Sequence, residues 1–200
     1  MIRKACIVVV ACCAFVAIAQ PEAPSNAHSG RELSPVIDDA TVRGLRYLAT
    51  QQAPDGSFGG GRFGPNVAVT SLACLAFMAD GHLPGRGEYG QVVARGLEFV
   101  LDNTAENGLI AAEPANGPMY GHGFATLFLG EVYGSVTSNP ELDDRVYEAL
   151  DRAVRLIERT QNEEGGWRYN PVPFDADVSV TICQIMGLRS ARNAGLQVDK

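Results

Sequence analysis

The chain of 200 residues is 46% hydrophobic and 20% charged, the composition of an ordinary globular protein with a buried core and not of a disordered one. Its 16 Lys and Arg against 23 Asp and Glu give a net charge of −7, so its surface repels phosphate groups. We therefore predict no nucleic-acid partner, because nucleic-acid binding normally requires a basic surface.

The amino-terminal segment, residues 1–19, has the three parts of a secretory signal peptide. Arg3 and Lys4 precede an apolar stretch, residues 5–16, and Ala17-Ile18-Ala19 forms a small-x-small cleavage site. The apolar run is about 15 residues long, whereas roughly 20 are needed to span a bilayer. We therefore predict cleavage after Ala19, a secreted or periplasmic protein, and no stable membrane span after cleavage.

Two alternatives to a cleaved signal are open. The segment could stay as an uncleaved membrane anchor, or Cys12 could be lipidated, because Val9-Val10-Ala11-Cys12 resembles a lipobox. Against lipidation, the residues that follow Cys12 continue the apolar run, whereas a lipidated cysteine is normally followed by a polar linker.

Signal removal leaves 14 basic residues against 23 acidic ones, so the predicted mature net charge is −9. Residues 20–33 contain two prolines and small polar residues without apolar periodicity, which predicts a disordered linker. Cys74 and Cys183 are the cysteines outside the signal, and both lie in apolar patterns. Two cysteines do not make a disulfide framework, so we interpret them as buried thiols.

From residue 34 onward, two types of segment alternate. Residues 35–52, 89–103 and 140–161 have apolar residues at spacings of three and four, with charges opposite, which predicts amphipathic helices. Residues 67–79, 124–133 and 178–188 are apolar nearly all round. Such helices must be buried on every face, so we predict that these are inner helices covered by the amphipathic outer ones. The fold class is therefore all-α, built from three helical hairpins.

The loop that joins each outer helix to the next inner helix also repeats. Gln52, Asp55, Gly56 and Phe58 recur in one register as Gln161, Glu164, Gly165 and Trp167. Residues 104–110 form a weaker middle copy. The glycines permit the positive φ of a sharp reversal, and the aromatic residue is expected to pack under the hairpin.

This element, Gln-x-x-Asp/Glu-Gly-x-Phe/Trp, resembles the QW repeat of squalene and oxidosqualene cyclases and of protein prenyltransferase β subunits. The resemblance covers residues 34–200 and implies part of an (α/α) toroid whose inner helices line an apolar central cavity. Three hairpins are about half of such a ring. The sequence is therefore either a fragment of a longer protein or, if complete, a homodimer whose two copies close the ring.

Hairpins stacked in this way would bring the amino ends of all inner helices to one rim, where we place the candidate catalytic residues Asp175, Asp177 and His122. The segment Asp175-Ala176-Asp177-Val178 resembles the Asp-x-Asp-Asp motif of class II terpene cyclases, whose central Asp protonates an alkene or epoxide. Val178 replaces the final Asp, a departure from the motif. The alternative is that Asp175 is an ordinary helix N-cap and Asp177 a first-turn acid.

His122 could act as a base and pair with the two acids. Prenyltransferase β subunits, by the same resemblance, hold zinc with an Asp, a Cys and a His. Here neither Cys74 nor Cys183 lies near an inner-helix start, and a zinc site needs at least three protein ligands. We therefore predict no metal and no cofactor.

Three functions fit these features. The first is an exported terpene cyclase-like or prenyltransferase-like protein with a small apolar ligand. The second is a secreted polysaccharide-active toroid enzyme with a carbohydrate ligand. The predicted export favours it, and Trp167, Tyr169 and Phe174 could stack on a sugar ring. The third is a non-catalytic toroid that binds a protein partner.

Overall fold

The structure, a computed structural model, describes residues 35–60, 64–112, 117–136 and 139–199. The predicted signal peptide and the linker lie outside these residues. Within them the chain forms six helices and no strands, which confirms the all-α prediction. The helices are α1 (Pro35–Thr50), α2 (Val67–Ala79), α3 (Gly90–Asp102), α4 (Met119–Val132), α5 (Pro140–Arg159) and α6 (Val178–Asn193).

The helix boundaries follow the predicted alternation, but α6 continues to Asn193, beyond the predicted end at residue 188, and α4 differs at its start. Helix α4 begins at Met119 and not at residue 124. Its first turns contain Gly121 and Gly123, which weaken the apolar periodicity and favour a loop interpretation of the sequence. Both glycines are needed for packing, since a Cβ on Gly123 would lie 2.8 Å from the backbone of Cys183, and one on Gly121 2.7 Å from Val67.

The inner helices α2, α4 and α6 lie side by side, with α4 in the middle. Helices α4 and α6 run parallel, because Tyr120 contacts Ser179 near their amino ends and Gly130 packs on Ser190 near their carboxyl ends. The amino end of α2 is also there, since Val67 adjoins Gly121 of α4. The three amino ends therefore form one edge of the inner layer, which we call the amino edge.

The outer helices cover the inner ones on one side. Gly96 of α3 lies against Cys74 of α2. On the next hairpin, Ala153 of α5 lies against His122 of α4. A core of aliphatic and aromatic side chains fills the space between the two layers.

The loops after α1 and α5 (residues 51–60 and 160–177, the first and third loops) are closed by the same bonds. Gln52 Nε2 donates to the carbonyl of Gly56 at 3.0 Å, and Gln161 Nε2 donates to that of Gly165 at 3.0 Å. The aromatic residues that follow, Phe58 and Trp167, are both buried. The repeated sequence element therefore corresponds to a repeated local structure.

Burial of the inner helices differs from the prediction that every face is covered. Helix α4 is covered on most of its surface, but α2 exposes Val69 and Leu72, and α6 exposes Val178, Ile182 and Ile185. The prediction is wrong for these two helices because, within the described residues, α4 has inner neighbours on both sides whereas α2 and α6 have one each.

Cys74 and Cys183 are buried free thiols, as the sequence predicts. Burial raises the pKa of Cys74 to about 12 and raises that of Cys183 as well, which favours the protonated thiol at both positions. Across the described ranges, no helix combines the length and the apolar character needed to cross a bilayer.

Candidate functional site

Polar side chains from α4, α6 and the third loop meet at the amino edge. The rings of Tyr120 and Tyr169 lie with their centroids 6.0 Å apart. Tyr169 donates its hydroxyl to a carboxylate oxygen of Asp177 at 3.2 Å, while Ser179 bridges Asp177 and the hydroxyl of Tyr120. We call these four residues the tyrosine–aspartate cluster.

Asp177 is the N-cap of α6. Its carboxylate accepts the backbone N–H groups of Ser179 at 2.9 Å and Val180 at 3.2 Å. The hydroxyl of Ser179 and these backbone bonds hold the pKa of Asp177 below its ordinary value. The negative charge of Asp177 raises the pKa of Tyr169, which keeps that phenol protonated. Asp177 is thus an ionised acceptor of hydrogen bonds and not a carboxylic acid ready to donate a proton.

Asp175 is exposed and forms an ion pair with Arg168, whose guanidinium lies over the ring of Tyr169 at 5.2 Å. The alternative that Asp175 is the N-cap and Asp177 a first-turn acid is therefore wrong in its assignment. The cap is Asp177, because it immediately precedes the first helical residue, Val178, and its carboxylate reaches the free amides of the first turn.

His122 is fully buried between α4 and α5. Its Nδ1 accepts the backbone N–H of Ile110 at 3.2 Å, and its Nε2 lies 3.3 Å from the carbonyl oxygen of Ala153. This pairing requires the neutral imidazole with the proton on Nε2. Burial lowers the pKa of His122 to about 4. Its hydrogen-bond partners include neither Asp175 nor Asp177. Of the three predicted site residues, the two aspartates therefore lie at the amino edge, whereas His122 lies in the core.

The role of His122 becomes clear from the other two hairpins. Thr70 Oγ1 accepts the backbone N–H of Phe58 at 2.8 Å, and Thr181 Oγ1 accepts that of Trp167 at 3.1 Å. In all three hairpins the acceptor is the fourth residue of the inner helix. Its hydrogen bond fastens the loop to that helix. An alignment of the three inner-helix starts could have found this equivalence, but His and Thr do not resemble each other.

A cavity of about 240 Å³ opens beside the tyrosine–aspartate cluster. Tyr169 and Phe174 line it and are exposed, whereas Trp167, the third predicted stacking residue, is buried and donates its indole N–H to the carbonyl of Ile157 at 2.7 Å. The cavity is lined by Arg168, Tyr169, Asn170, Val172, Phe174 and Asp175.

Below the cluster, the inner helices present apolar side chains on the side opposite the outer helices. On α4, His122 faces α5, so Phe124 and Leu127 lie on the other side of the helix. Leu72 and Leu75 of α2 and Met186 of α6 occupy the corresponding positions on the flanking helices, and all five side chains are partly or largely exposed. We call this surface the inner face.

In the part of the chain that the structure describes, no three His, Cys, Asp or Glu side chains converge as metal ligands. No protein-family model matches the chain, and no curated protein matches it. The function must therefore be inferred from the geometry of the amino edge and the inner face.

Proposed function

We propose that this chain is an exported toroid-type repeat protein, similar to terpenoid cyclases and prenyltransferases, that binds an elongated apolar molecule on its inner face. The observation that carries the proposal is the shared exposure of apolar side chains by three adjacent inner helices, next to a polar rim. Such a surface suits a ligand with an isoprenoid-like chain and one polar end. A homodimer, one of the predicted ways of closing the ring, would extend this face.

The polar rim supports orientation of the ligand. The tyrosine–aspartate cluster lies at the amino edge, where the inner helices begin and the partial positive charge of their amino ends is strongest. Its hydroxyl groups and ionised carboxylate can accept a hydrogen bond from an alcohol. The apolar remainder of the molecule would then lie along Phe124 and Leu127.

The chemistry of the described residues favours binding over proton-initiated cyclisation. A proton donor to an alkene must be a carboxylic acid in a dry site, whereas Asp177 is ionised and caps a helix, and Asp175 is paired with Arg168. His122 is neutral and both its ring nitrogens are engaged. We therefore assign these residues to orientation and to structure, and we propose no turnover.

The test is a methyl NMR titration of the protein with geraniol, using methionine methyl labels. Met186 lies on the inner face and is exposed, while Met119 is fully buried on α4, so the two report ligand and global effects separately. About five or six buried methylene-sized groups at ~0.8 kcal/mol each predict a dissociation constant of about 0.3–1 mM. We expect the Met186 signal to move with saturation while the Met119 signal stays.

The variant Phe124→Asn should weaken this binding at least several-fold, because it places a polar amide in the centre of the inner face. The matched control is Ile37→Asn, which changes an exposed residue of the outer helix α1. An unmoved Met186 signal, or equal effects of the two variants, would refute the proposed ligand site.

A second candidate function is carbohydrate binding at the amino edge. It is favoured by the cavity beside the cluster, which the exposed rings of Tyr169 and Phe174 line next to the charged pair Arg168 and Asp175. Addition of a linear oligosaccharide in the same titration distinguishes the two functions. Binding that depends on Phe174, and not on Phe124, would support the carbohydrate function.

A further inference from the structure

The loops between outer and inner helices dock on the following outer helix. A Cβ atom on Gly56 of the first loop would lie 2.8 Å from the carbonyl carbon of Arg95 on α3. A Cβ on Gly108, in the loop after α3, would lie 2.6 Å from the carbonyl carbon of Arg152 on α5. Each loop glycine is therefore covered by the backbone of an outer helix at an arginine.

The third loop has the same glycine without this cover. Gly165 has a φ of +85°, close to the +87° of Gly56 and the +88° of Gly108. A Cβ on Gly165 would meet only the side chain of Gln161, at 3.8 Å. The third loop therefore has the shape that receives an outer helix, and among the described residues no helix packs on it.

Helix α1 has the complementary open surface. Arg43 and Gly44 correspond to Arg95 and Gly96 of α3, counted back from the loops that follow the two helices. Gly96 packs so closely on Cys74 that a Cβ there would collide with its sulfur, whereas Gly44 has nothing within 4 Å.

The next residues of the outer helices show the same difference. Tyr47 on α1 is 67% exposed. Its counterparts on α3 and α5, Phe99 and Leu156, are only 7% and 2% exposed. Helix α1 thus carries the surface with which α3 and α5 contact the preceding hairpin, and none of the residues that the structure describes covers it.

The inner layer ends in a matching way. Val178, Ile182 and Ile185 form one stripe of α6 and are 78%, 51% and 51% exposed. The counterparts of this stripe on the preceding inner helices are all buried: Val67, Ser71 and Cys74 on α2, and Met119, Gly123 and Thr126 on α4. They are buried because another inner helix or an outer helix packs there, whereas no described helix packs on this stripe of α6.

We propose that a second copy of this chain docks head to tail on this end, with its α1–α2 hairpin packed against the third loop and α6. The third loop and α6 can be covered by an outer and an inner helix, provided that the sides of these helices that contact a preceding hairpin are free. Within the described residues, α1 and α2 are the pair that meets this condition. In this arrangement the Val69 side of α2 in the second copy covers the apolar stripe of α6, just as Gly121, the counterpart of Val69 on α4, packs on Val67 of α2.

One specific contact supports the second copy as the occupant. Arg95 donates its guanidinium to Gln52, the first residue of the repeated loop element. Arg43 of the second copy would make the same bond to Gln161 of the first, with identical residue types on both sides. In the single chain Arg43 pairs with Asp39 on the surface of α1, and such an exposed pair is readily exchanged. The contact is heterologous, so it either closes into a ring or continues.

The first test is the mass of the purified chain by light scattering at tens of micromolar. We expect at least two chains per particle for the wild type, and a single chain for Ile182→Asp and for Gly165→Asn. Asparagine tolerates a positive φ, so the second variant chiefly adds a side chain where the helix would dock. The controls are Tyr147→Asp, on an exposed part of α5, and Gly134→Asn, at an open glycine with a φ of +76° in the middle hairpin.

Monomeric wild type at these concentrations would overturn the proposal, and would leave these surfaces to a following hairpin of a longer chain or to another protein. Oligomers that survive both Ile182→Asp and Gly165→Asn, or that all four variants disrupt equally, would overturn it as well. Circular dichroism identifies any variant that fails to fold, and Gly165→Asn and Ile182→Asp test the interface independently of each other.

The second test is a cross-link between the proposed partners. Arg43→Cys and Gln161→Cys lie at opposite ends of one chain, so a short bismaleimide can join them only between copies. The intramolecular pair Gln52→Cys and Arg95→Cys shows that the geometry permits the reaction. Cys74 and Cys183 are buried, and the single variants account for background. We expect covalent dimers from the first pair alone; efficient internal cross-linking of the second pair with none from the first would refute the contact.

Discussion

Three side chains at one structural position, Thr70, His122 and Thr181, fasten the three loops to their inner helices. In each hairpin the side chain accepts a loop N–H that would otherwise be buried without a partner, an omission that costs about 1–3 kcal/mol. Threonine and histidine differ in size and charge, yet both provide an acceptor at the required place. The residue at this position is therefore determined by one hydrogen bond and not by catalysis.

Replacement of His122 by Ala should destabilise the fold by about 2–4 kcal/mol, because it leaves a cavity and removes the acceptor for Ile110. His122→Thr should cost less, since Thr makes the equivalent bond in both other hairpins. Urea unfolding at pH 7 measures both values. Equal losses for the two variants would show that the hydrogen bond contributes little.

The same residue predicts a pH dependence of stability. The folded protein holds the pKa of His122 at about 4, below the 6.5 of an exposed histidine, so between these values the unfolded chain binds a proton that the folded chain does not. Stability is full above about pH 6.5 and falls as the pH drops toward 4, by on the order of 3 kcal/mol. Unfolding between pH 7 and 4.5 should show this slope in the wild type and a weaker one in His122→Thr.

At the scale of the element, the hairpin is held by a loop glycine that touches the following outer helix. Gly108 lies against the carbonyl of Arg152 and Gly56 against that of Arg95, both at positive φ. A positive φ alone is inexpensive for glycine, but here the missing side chain is also what allows two backbones to meet. The glycine of the repeated element is thus required twice, once for the turn and once for the contact between hairpins.

A pair of substitutions separates these two requirements. Gly134→Ala, at a φ of +76° with nothing within 4 Å, should cost about 1 kcal/mol for the backbone conformation alone. Gly108→Ala adds a collision with Arg152 and should cost about 1–3 kcal/mol more. Denaturant unfolding of the two variants gives the difference, and equal costs would mean that the loop can move away from α5.

At the scale of the whole molecule, the described residues form a row of three hairpins with apolar side chains exposed on α2 and α6. The end stripe of α6 and the free side of α2 each leave aliphatic side chains in water, which soluble monomers rarely do over a large area. The acidic net charge counteracts unspecific association. A second copy is the occupant that we propose for these ends, and the inner face is the surface that we propose for a ligand.

Export, which the sequence predicts, also concerns the whole molecule, and the prediction can be tested at one position. Expression in a secreting host should yield a protein whose first residue is Gln20, because Ala17 and Ala19 fit the cleavage site. Mass spectrometry of the secreted product checks the cleavage position. A mass that retains the segment, or a lipidated form abolished by Cys12→Ser, would favour the anchor or the lipoprotein instead.

The sequence by itself determined the helical class, the number of hairpins, the alternation of outer and inner helices and the repeated loops. These follow from periodicity and from glycines in register, which are local properties of the chain. The same local logic placed Asp175 and Asp177 at the start of α6, although it did not identify which of them is the cap.

Only the tertiary structure decided what depends on residues far apart in the chain. The partners of His122 come from a preceding loop and a following helix, and its burial removes it from the rim where the sequence placed it. Ile182 on α6 is exposed because no described helix packs on it, which an apolar pattern cannot report. Periodicity indicates which side chains avoid water, but the side chains that cover them are set by packing between elements.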